Sequence, residues 1–186
     1  MGLPVYARAS PFVAGTTRCH MTRDLTPRSP STSASHVSEL MMPGDTNNHG
    51  NVFGGVVLSM VDRAAAVAAM RHSGCPVVTV SIDRVDFKEP IYAGELVMCK
   101  ARVNYVGRTS MEVGVRVEAE NLLTGERRHT NTCYLTFVAI DDDGKPLGVR
   151  PLDLETEIDR RYWADAKRRR EYREALAKEL GEENYS

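Results

Sequence analysis

The stretch GGVVLSMVDRAAAVAAMR, residues 54–71, decides the fold of this chain. Its apolar residues recur at helical spacing, and Gly74 and Pro76 stop the pattern, so we predict a helix over this segment. Because the segment is apolar almost all the way round, the helix should be buried rather than lie on a surface. Asp62 lies inside it, and a carboxylate there must be solvated, paired or used in chemistry. Asp62 is therefore the first candidate for a functional residue.

Four segments after this helix have the composition or alternation of β-strands. They cover residues 77–87, 95–106, 111–120 and 130–140. Short turns separate them, and strands joined in this way are most simply antiparallel neighbours. The order predicts an α+β fold in which an antiparallel meander wraps around one central helix.

The first 36 residues form a separate zone, rich in Arg, Ser, Thr and Pro and with a single acidic residue. Such a composition does not build a core, so we predict a disordered N-terminal extension over residues 1–36. An organelle transit peptide has the same composition. A third explanation is a start of the protein at Met21 or Met41.

The folded domain is predicted over residues 37–148, followed by a helical tail over 149–186. The tail contains a charged helix from about residue 155 to residue 180. Its basic run, residues 167–170, is typical of a solvated helix face. A partial apolar stripe on the same helix also allows packing on the domain or on another subunit.

Bulk composition excludes several classes of protein. The chain has 24 Lys and Arg against 25 Asp and Glu, a net charge of -1, so it has no global field for nucleic acid or an anionic membrane. No apolar stretch reaches the roughly 20 residues of a membrane helix. The four cysteines lack C-x-x-C spacing, which predicts no zinc site and indicates a reducing compartment. We therefore expect a cytoplasmic protein without a metal.

Known catalytic motifs are missing from the sequence: there is no G-x-S-x-G, no Walker phosphate loop, no H-E-x-x-H and no G-x-G-x-x-G. Gly54 and Gly55 at the start of the predicted helix are a different feature. The first-turn N–H groups of a helix have no internal partner, and glycines let an oxyanion approach them closely. On the glycines alone, close packing at the helix entry is the better explanation.

Asn47 and Asp62 strengthen the catalytic interpretation. A carboxylate on an apolar helix can act as a base, and an Asn amide can hold a water molecule by donating and accepting at once. Together with a backbone oxyanion site, these groups suit hydrolysis of an activated acyl group. Taken singly, Asp62 paired with Arg63 or a neighbouring subunit, and Asn47 as a turn or cap residue, are structural alternatives. His49, in the same loop, is the competing catalytic residue.

Several motifs carry a resemblance to a known family. They are MPGDTNNHGNVFGG at residues 42–55, MVD at 60–62, VVTVSIDRVDFKEP at 77–90, GRTSM at 107–111 and YLTFVA at 134–139. The chain resembles the hot-dog-fold acyl-CoA thioesterases of the bacterial short-chain and brain-type acyl-CoA hydrolase group. The resemblance covers about residues 39 to 145.

The resemblance implies a hot-dog fold, a five-stranded antiparallel sheet around a central helix, here with an added C-terminal charged helix. Two units would pair edge to edge as a homodimer, and three pairs would form a hexamer. The site would lie between paired subunits, with Asn47 of one chain, Asp62 of the other, and Gly54 or Gly55 as the oxyanion donor. The implied reaction converts acyl-CoA to fatty acid and CoA without a cofactor, since CoA is part of the substrate.

CoA binding needs cations for the phosphates. The residues that we expect to bind it are Arg84, Gly107, Arg108, Thr109 and Ser110, because the turn matches the family's CoA-contacting loop. Two rival functions remain: hydration or dehydration of acyl thioesters, which pairs an acid with a catalytic His such as His49, and a non-catalytic acyl-CoA-binding module. Neither nucleic acid nor membrane is an expected partner, and no spacing predicts the acyl chain length.

Overall fold

A computed structural model describes residues 24–181. The elements in chain order are α1 (Pro30–Ser33), β1 (Ser35–Leu40), a 3-10 turn (Pro43–Asp45), α2 (Gly54–Ser73), β2 (Val77–Ile82), β3 (Glu95–Val106), β4 (Ser110–Asn121), β5 (Arg127–Ala139) and α3 (Glu157–Leu180). The strands form one five-stranded sheet in the order β1-β3-β4-β5-β2, and every pairing is antiparallel. The predicted α+β hot-dog layout, with a helix against an antiparallel sheet and a C-terminal helix, is confirmed.

The prediction that strands follow one another as neighbours is wrong at one connection. β3, β4 and β5 form a meander, but β2 pairs with β5 at one edge of the sheet and β3 pairs with β1 near the other. Residues 83–94 cross between these positions, about three strand spacings of 4.8 Å each. Local composition does not encode this crossing, and β1 was not recognised because it is short, polar and at an edge.

α2 packs its apolar surface against the inner face of the sheet, as predicted. Its buried residues include Val57, Met60, Val61, Ala64, Ala65, Ala68 and Ala69, all at most 1% exposed. The alanines let the helix axis approach the sheet closely. The helix runs to Ser73, two residues beyond the predicted end, where Gly74 adopts a left-handed conformation at φ 70°.

α3 crosses the outer face of the sheet, and its contacts correct the prediction of a solvated basic face. Arg169 donates from Nη2 to Glu112 Oε1 at 2.6 Å, and Glu112 is 3% exposed. Arg170 is half-buried and pairs with Glu174. Only Lys167 and Arg168 of the basic run are exposed. The run therefore faces the sheet with two of its four residues.

Residues 1–23 of the predicted extension lie outside the described residues. α1 and the first two residues of β1 precede the predicted domain boundary at residue 37. Cys99 and Cys133 are buried free thiols, whereas Cys75 is disulfide-bonded, so the indication of a reducing compartment is not supported at Cys75. In the described part of the chain, no helix has the length and apolar character that a membrane span requires.

Candidate functional site

The loop between β1 and α2 is closed by its own hydrogen bonds. Asp45 accepts from the backbone N–H of Met42 at 2.7 Å through Oδ2, and its carbonyl accepts from the N–H of Phe53 at 2.8 Å. Asn47 N donates to Asn51 O at 2.7 Å. These bonds hold the polar loop directly in front of α2.

Asn47 stabilises the loop through the oxygen of its side-chain amide. Its Oδ1 accepts from the N–H groups of His49 at 2.8 Å and Asn51 at 3.3 Å. The turn role considered for Asn47 is therefore real, but it uses only the acceptor. The side chain is exposed, and Nδ2 has no assigned partner within residues 24–181, so the amide retains two donors for a ligand.

α2 begins without a cap. Phe53 occupies the N-cap position and makes no side-chain cap hydrogen bond. Gly54 and Gly55 follow as the first two helical residues, whose N–H groups have no partner inside the helix. A Cβ added to Gly54 would lie 3.3 Å from Cζ of Phe87, and one added to Gly55 would overlap the Phe53 ring. Both glycines therefore lie against aromatic rings, and the backbone donors beside them stay open.

Asp62 is held by a residue that the sequence analysis did not single out. Thr79 Oγ1 donates to Asp62 Oδ1 at 2.8 Å. Arg63 instead donates to Glu39 Oε2 at 3.2 Å, so the alternative of an Asp62–Arg63 pair is wrong. Asp62 is half-buried. One carboxylate oxygen is fixed by the Thr79 hydroxyl, and Oδ2 remains for a second partner.

Thr79 lies in β2, where the pairing with β5 is irregular between Thr79 and Ser81. The only sequence signal for it was its place in the motif at residues 77–90. Hydroxyl groups are common on strands, so composition alone does not distinguish a residue that meets a carboxylate of the neighbouring helix.

A single chain does not bring the candidate catalytic residues together. Asp62 is eight residues after Gly54, which is about 12 Å along the helix axis at 1.5 Å per residue. A thioester carbonyl bound at Gly54 is therefore remote from the Asp62 carboxylate of the same chain.

The expected CoA-binding turn joins β3 to β4. Gly107 N donates to Ser110 O at 2.8 Å, while the carbonyls of Arg108 and Thr109 accept from the two neighbouring segments at 2.9 and 3.1 Å. Arg170 of α3 approaches Gly107 so closely that a Cβ there would collide with its Nη1, which also donates to Ser110 Oγ at 3.4 Å. These hydrogen bonds fix the turn in place. Two cationic side chains lie beside it, Arg108 of the turn itself and Arg170 of α3.

Arg84, the other expected CoA residue, is 86% exposed and pairs with Asp86 at 3.0 Å. The turn and the start of α2 lie at opposite ends of β3, a strand of 12 residues, in which the 11 steps from first to last residue span roughly 36 Å at 3.3 Å each. Within one chain, the turn is thus also far from the start of α2, whereas Arg84 lies only three residues before Phe87, whose ring is next to Gly54.

The connection 83–94 is anchored where it enters β3. Arg128 donates to both carboxylate oxygens of Glu95 at 2.9 Å and to the carbonyl of Pro90 at 3.1 Å. Burial raises the pKa of Glu95, but the hydrogen bonds from Arg128 and from Tyr92 N–H outweigh it and lower that pKa below its ordinary value. The end of this connection is therefore fixed in place.

Comparison with known proteins gives a consistent result. The model of the thioesterase superfamily matches residues 49–126. An acyl-CoA thioester hydrolase of Bacillus subtilis is 42% identical over 148 residues, 76% of this chain and 86% of that protein. The cytosolic acyl coenzyme A thioester hydrolase of Rattus norvegicus is 32% identical over 157 residues, 83% of this chain and 41% of that protein.

Two solved structures are similar over most of the chain. An apo-hexameric acyl-CoA thioesterase has a TM-score of 0.79 at 43% identity, covering 82% of this chain and 97% of that one. The acyl-CoA hydrolase of Staphylococcus aureus, in complex with butyryl-CoA, CoA and CoA disulfide, has a TM-score of 0.76 at 37% identity, covering 83% and 94%.

Three variants of the S. aureus protein have also been solved. Each replaces one residue by alanine: an asparagine, an aspartate 15 residues later, or a threonine 17 residues after that. In this chain Asp62 follows Asn47 by 15 residues, and Thr79 follows Asp62 by 17.

Proposed function

Because this chain belongs to the thioesterase superfamily, in the group of acyl-CoA thioester hydrolases, we propose that it hydrolyses acyl-CoA thioesters to a free fatty acid and CoA. The observation that carries the proposal is the bond between Asp62 and Thr79, in a set with Asn47 whose spacing matches the residues replaced in the S. aureus hydrolase. The reaction requires no cofactor, since CoA is part of the substrate.

The proposed mechanism begins at the uncapped start of α2. The thioester carbonyl oxygen accepts a hydrogen bond from the N–H of Gly54 or Gly55, where the helix dipole stabilises the negative charge that develops. Asp62 takes a proton from water as the water oxygen attacks the carbonyl carbon. The tetrahedral intermediate then releases CoA as the C–S bond breaks, and the thiolate takes up the proton that Asp62 accepted, which restores the carboxylate.

Two residues orient these groups. The Thr79 hydroxyl donates to Oδ1 of Asp62, which leaves Oδ2 to face the water. The Nδ2 group of Asn47 positions the water or the thioester. Direct attack by Asp62 to form an anhydride is the alternative path, and it makes the same demands on Asn47 and Thr79.

We propose a homodimer as the smallest active unit. The separation of about 12 Å between Gly54 and Asp62 within one chain is bridged if the partner's copy of α2 lies alongside. β2 is an edge strand with exposed Val80 and Ile82, which pairing would cover. By analogy with the hexameric relative, three such dimers assemble further.

CoA is proposed to contact Arg84 and the turn of Gly107, Arg108, Thr109 and Ser110. If it does, replacing Arg84 and Arg108 together raises KM for acyl-CoA and reduces its dependence on salt. A cytoplasmic location is also proposed, by analogy with the cytosolic rat relative; the disulfide of Cys75 is the observation against it.

The first test measures release of free thiol from a panel of acyl-CoAs. Asp62→Asn and Asn47→Ala should each lower kcat by about 100-fold or more, the usual contribution of a general base or its equivalent. Arg63→Gln, next to Asp62 but exposed, is the matched control and should keep full activity. Unchanged turnover in both variants refutes the assignment, and absence of thiol release by the wild type would favour a binding module.

The second test asks whether the site is shared between chains. Asp62→Asn and Asn47→Ala proteins are unfolded, mixed and refolded together. If each site takes Asn47 from one chain and Asp62 from the other, mixed dimers contain one intact site, and activity recovers to about a quarter of wild type. No recovery means that both residues act within one chain. His49→Ala, tested in parallel, should keep activity, whereas its loss would favour hydratase chemistry.

A further inference from the structure

Two phenyl rings lie against the uncapped start of α2. The ring of Phe87 contacts Gly54, with its Cζ 3.3 Å from the position of an added Cβ, and the ring of Phe53 covers Gly55. Large apolar side chains are usually buried, yet Phe87 is 49% exposed and Phe53 is 58% exposed. The two rings therefore form exposed apolar walls beside the first two residues of α2.

The Phe87 wall is held in position from both sides. Val85 packs against the hydrophobic core, and the N–H of Lys88 donates to a β5 carbonyl at 3.2 Å. Further along, Arg128 holds the carbonyl of Pro90 at 3.1 Å. The ring is thus carried by a fixed stretch of chain rather than by a free loop end.

An acyl group bound at Gly54 would lie near this ring. An oxygen that accepts from the Gly54 N–H lies about 2.9 Å from that nitrogen, and the Cα is about 1.5 Å further on. The oxygen is therefore within about 4.4 Å of the Gly54 Cα, and the Phe87 ring lies beside the Cβ position of the same residue. In the proposed substrate pose, the carbon attached to the acyl carbonyl lies next to the ring.

We propose that Phe87 is a specificity-determining residue that restricts bulk at the carbon adjacent to the thioester. This inference rests on the proposed hydrolysis at Gly54 and names its substrate class: acyl groups that are unbranched at that carbon. A methyl branch at that carbon would meet the fixed Phe87 ring, whereas a straight chain has only hydrogen atoms at that position.

The test compares isomeric substrates that differ only in branching: butyryl-CoA with 2-methylpropanoyl-CoA, and hexadecanoyl-CoA with 2-methylpentadecanoyl-CoA. We expect Phe87→Ala to raise the ratio of kcat/KM for branched over straight substrate by about 10-fold or more, the range for one carbon in an apolar pocket. Phe87→Leu should give an intermediate ratio. Tyr92→Ala, in the same connection and 48% exposed, is the matched control and should leave the ratio unchanged.

The outcomes separate this inference from the proposed function. If wild type hydrolyses the straight substrates and the ratio is unchanged in both Phe87 variants, the inference is wrong and the function stands. If Phe87→Ala and Phe87→Leu lower both rates equally and dissociate the oligomer in size-exclusion chromatography, Phe87 is only a subunit contact, which also overturns it. If wild type releases no thiol from any substrate, the proposed function itself fails.

Discussion

A long helix covers each face of the sheet, and different chemistry attaches the two helices, α2 and α3. α2 lies on the inner face through Val, Met and Ala side chains that exclude water. α3 lies on the outer face through ion pairs, among them Arg102 with Asp159 and Arg169 with Glu112, both at 2.6 Å. The inner contact depends on the area and volume of apolar groups, whereas the outer contact combines pairing of charges with aromatic contacts such as that of Trp163 with Tyr105.

The N-termini of the two helices also differ, because α3 has a side-chain cap and α2 has none. α3 begins with a capping box, in which Thr156 Oγ1 accepts from the N–H of Asp159 at 3.1 Å while the Asp159 carboxylate accepts from Thr156 N at 3.0 Å. α2 begins at Phe53 with no side-chain cap. Because burial stabilises α2, its first N–H groups can be left for a ligand. α3 has less burial and uses its N-terminal donors for its own stability.

The largest expected effect is on the inner face. Met60→Ala removes a fully buried side chain and should lower the free energy of unfolding by about 2–5 kcal/mol. Met70→Ala, on the same helix but 43% exposed, should change it by less than about 0.5 kcal/mol. Chemical denaturation followed by circular dichroism measures both, and equal losses would contradict burial as the basis of α2 attachment.

The outer face should respond to loss of one carboxylate. Glu112→Ala leaves Arg169 and Arg173 without their shared partner. We expect the free energy of unfolding to fall by about 2–3 kcal/mol. This is below the usual cost of breaking a buried ion pair, because both arginines are partly exposed to water. Glu171→Ala, at an exposed pair, is the control.

Trp163, the single tryptophan, lies on α3 with its ring centroid 5.6 Å from that of Tyr105. Its fluorescence should therefore report separation of α3 from the sheet. In Glu112→Ala this signal should change at lower denaturant than the circular dichroism does. Coincident transitions would mean that α3 and the core unfold as one unit.

The cap of α3 should contribute less than these packing and charge terms. Thr156→Ala removes the side-chain acceptor and should cost about 1 kcal/mol. Thr156→Ser retains the hydroxyl and should be near wild type. The free energies of unfolding of the three proteins measure this, and an equal loss in Thr156→Ser would point to the methyl group instead of the cap.

Adding a side-chain cap to α2 tests whether its uncapped first-turn N–H groups bind the thioester oxygen. Phe53→Asn and Phe53→Ala both remove the ring, but only Asn can accept from the first-turn N–H groups. Relative to Phe53→Ala, we expect Phe53→Asn to be more stable by about 0.5 kcal/mol. It should also have a lower kcat, because the cap competes with the thioester oxygen. Equal kcat in the two variants would argue against an oxyanion site at this helix start.

Protonation of Asp159 is expected to have the smallest effect on stability, because this carboxyl group takes up a proton only in acid. Burial raises the pKa of its carboxyl, but hydrogen bonds from Thr156 and Arg102 outweigh it and hold the pKa below the ordinary 3.8. The stabilisation is therefore complete above pH 3.8 and is lost as the pH falls through the folded-state pKa. Trp163 fluorescence between pH 5 and 2 should show this change in wild type, and Asp159→Asn should flatten it.

Much of the inner layer is predictable from sequence. The start of α2 at Gly54 and both ends of β3 coincide with the prediction, because helical and two-residue periodicities follow directly from burial on one side. The crossing of residues 83–94 is not predictable in this way, since pairing across a sheet leaves no local pattern. Asn47, Asp62 and the glycines were found from their chemistry and remain proposals.

The outer layer and the supporting residues are harder to infer. Arg168 and Arg169 are identical letters in one basic run, but the first faces solvent and the second faces Glu112. Only the geometry of the helix on the sheet separates them. The sequence did not indicate a role for Thr79 or Phe87 for a similar reason, because each acts through a contact with a residue distant in sequence.

The irregularity in β2 has a consequence for chain length. Thr79 lies opposite Phe137 and Ser81 opposite Thr136, so Val80 is an extra residue without a partner of its own. A chain shortened by Val80 alone would keep the same residues facing α2, with Thr79 still beside Asp62. Deletion of Ser81 would instead place Val80 opposite Thr136, and deletion of Thr79 would remove the hydroxyl that contacts Asp62. β2 is therefore a place where natural sequences can differ in length by one residue without relocating the site.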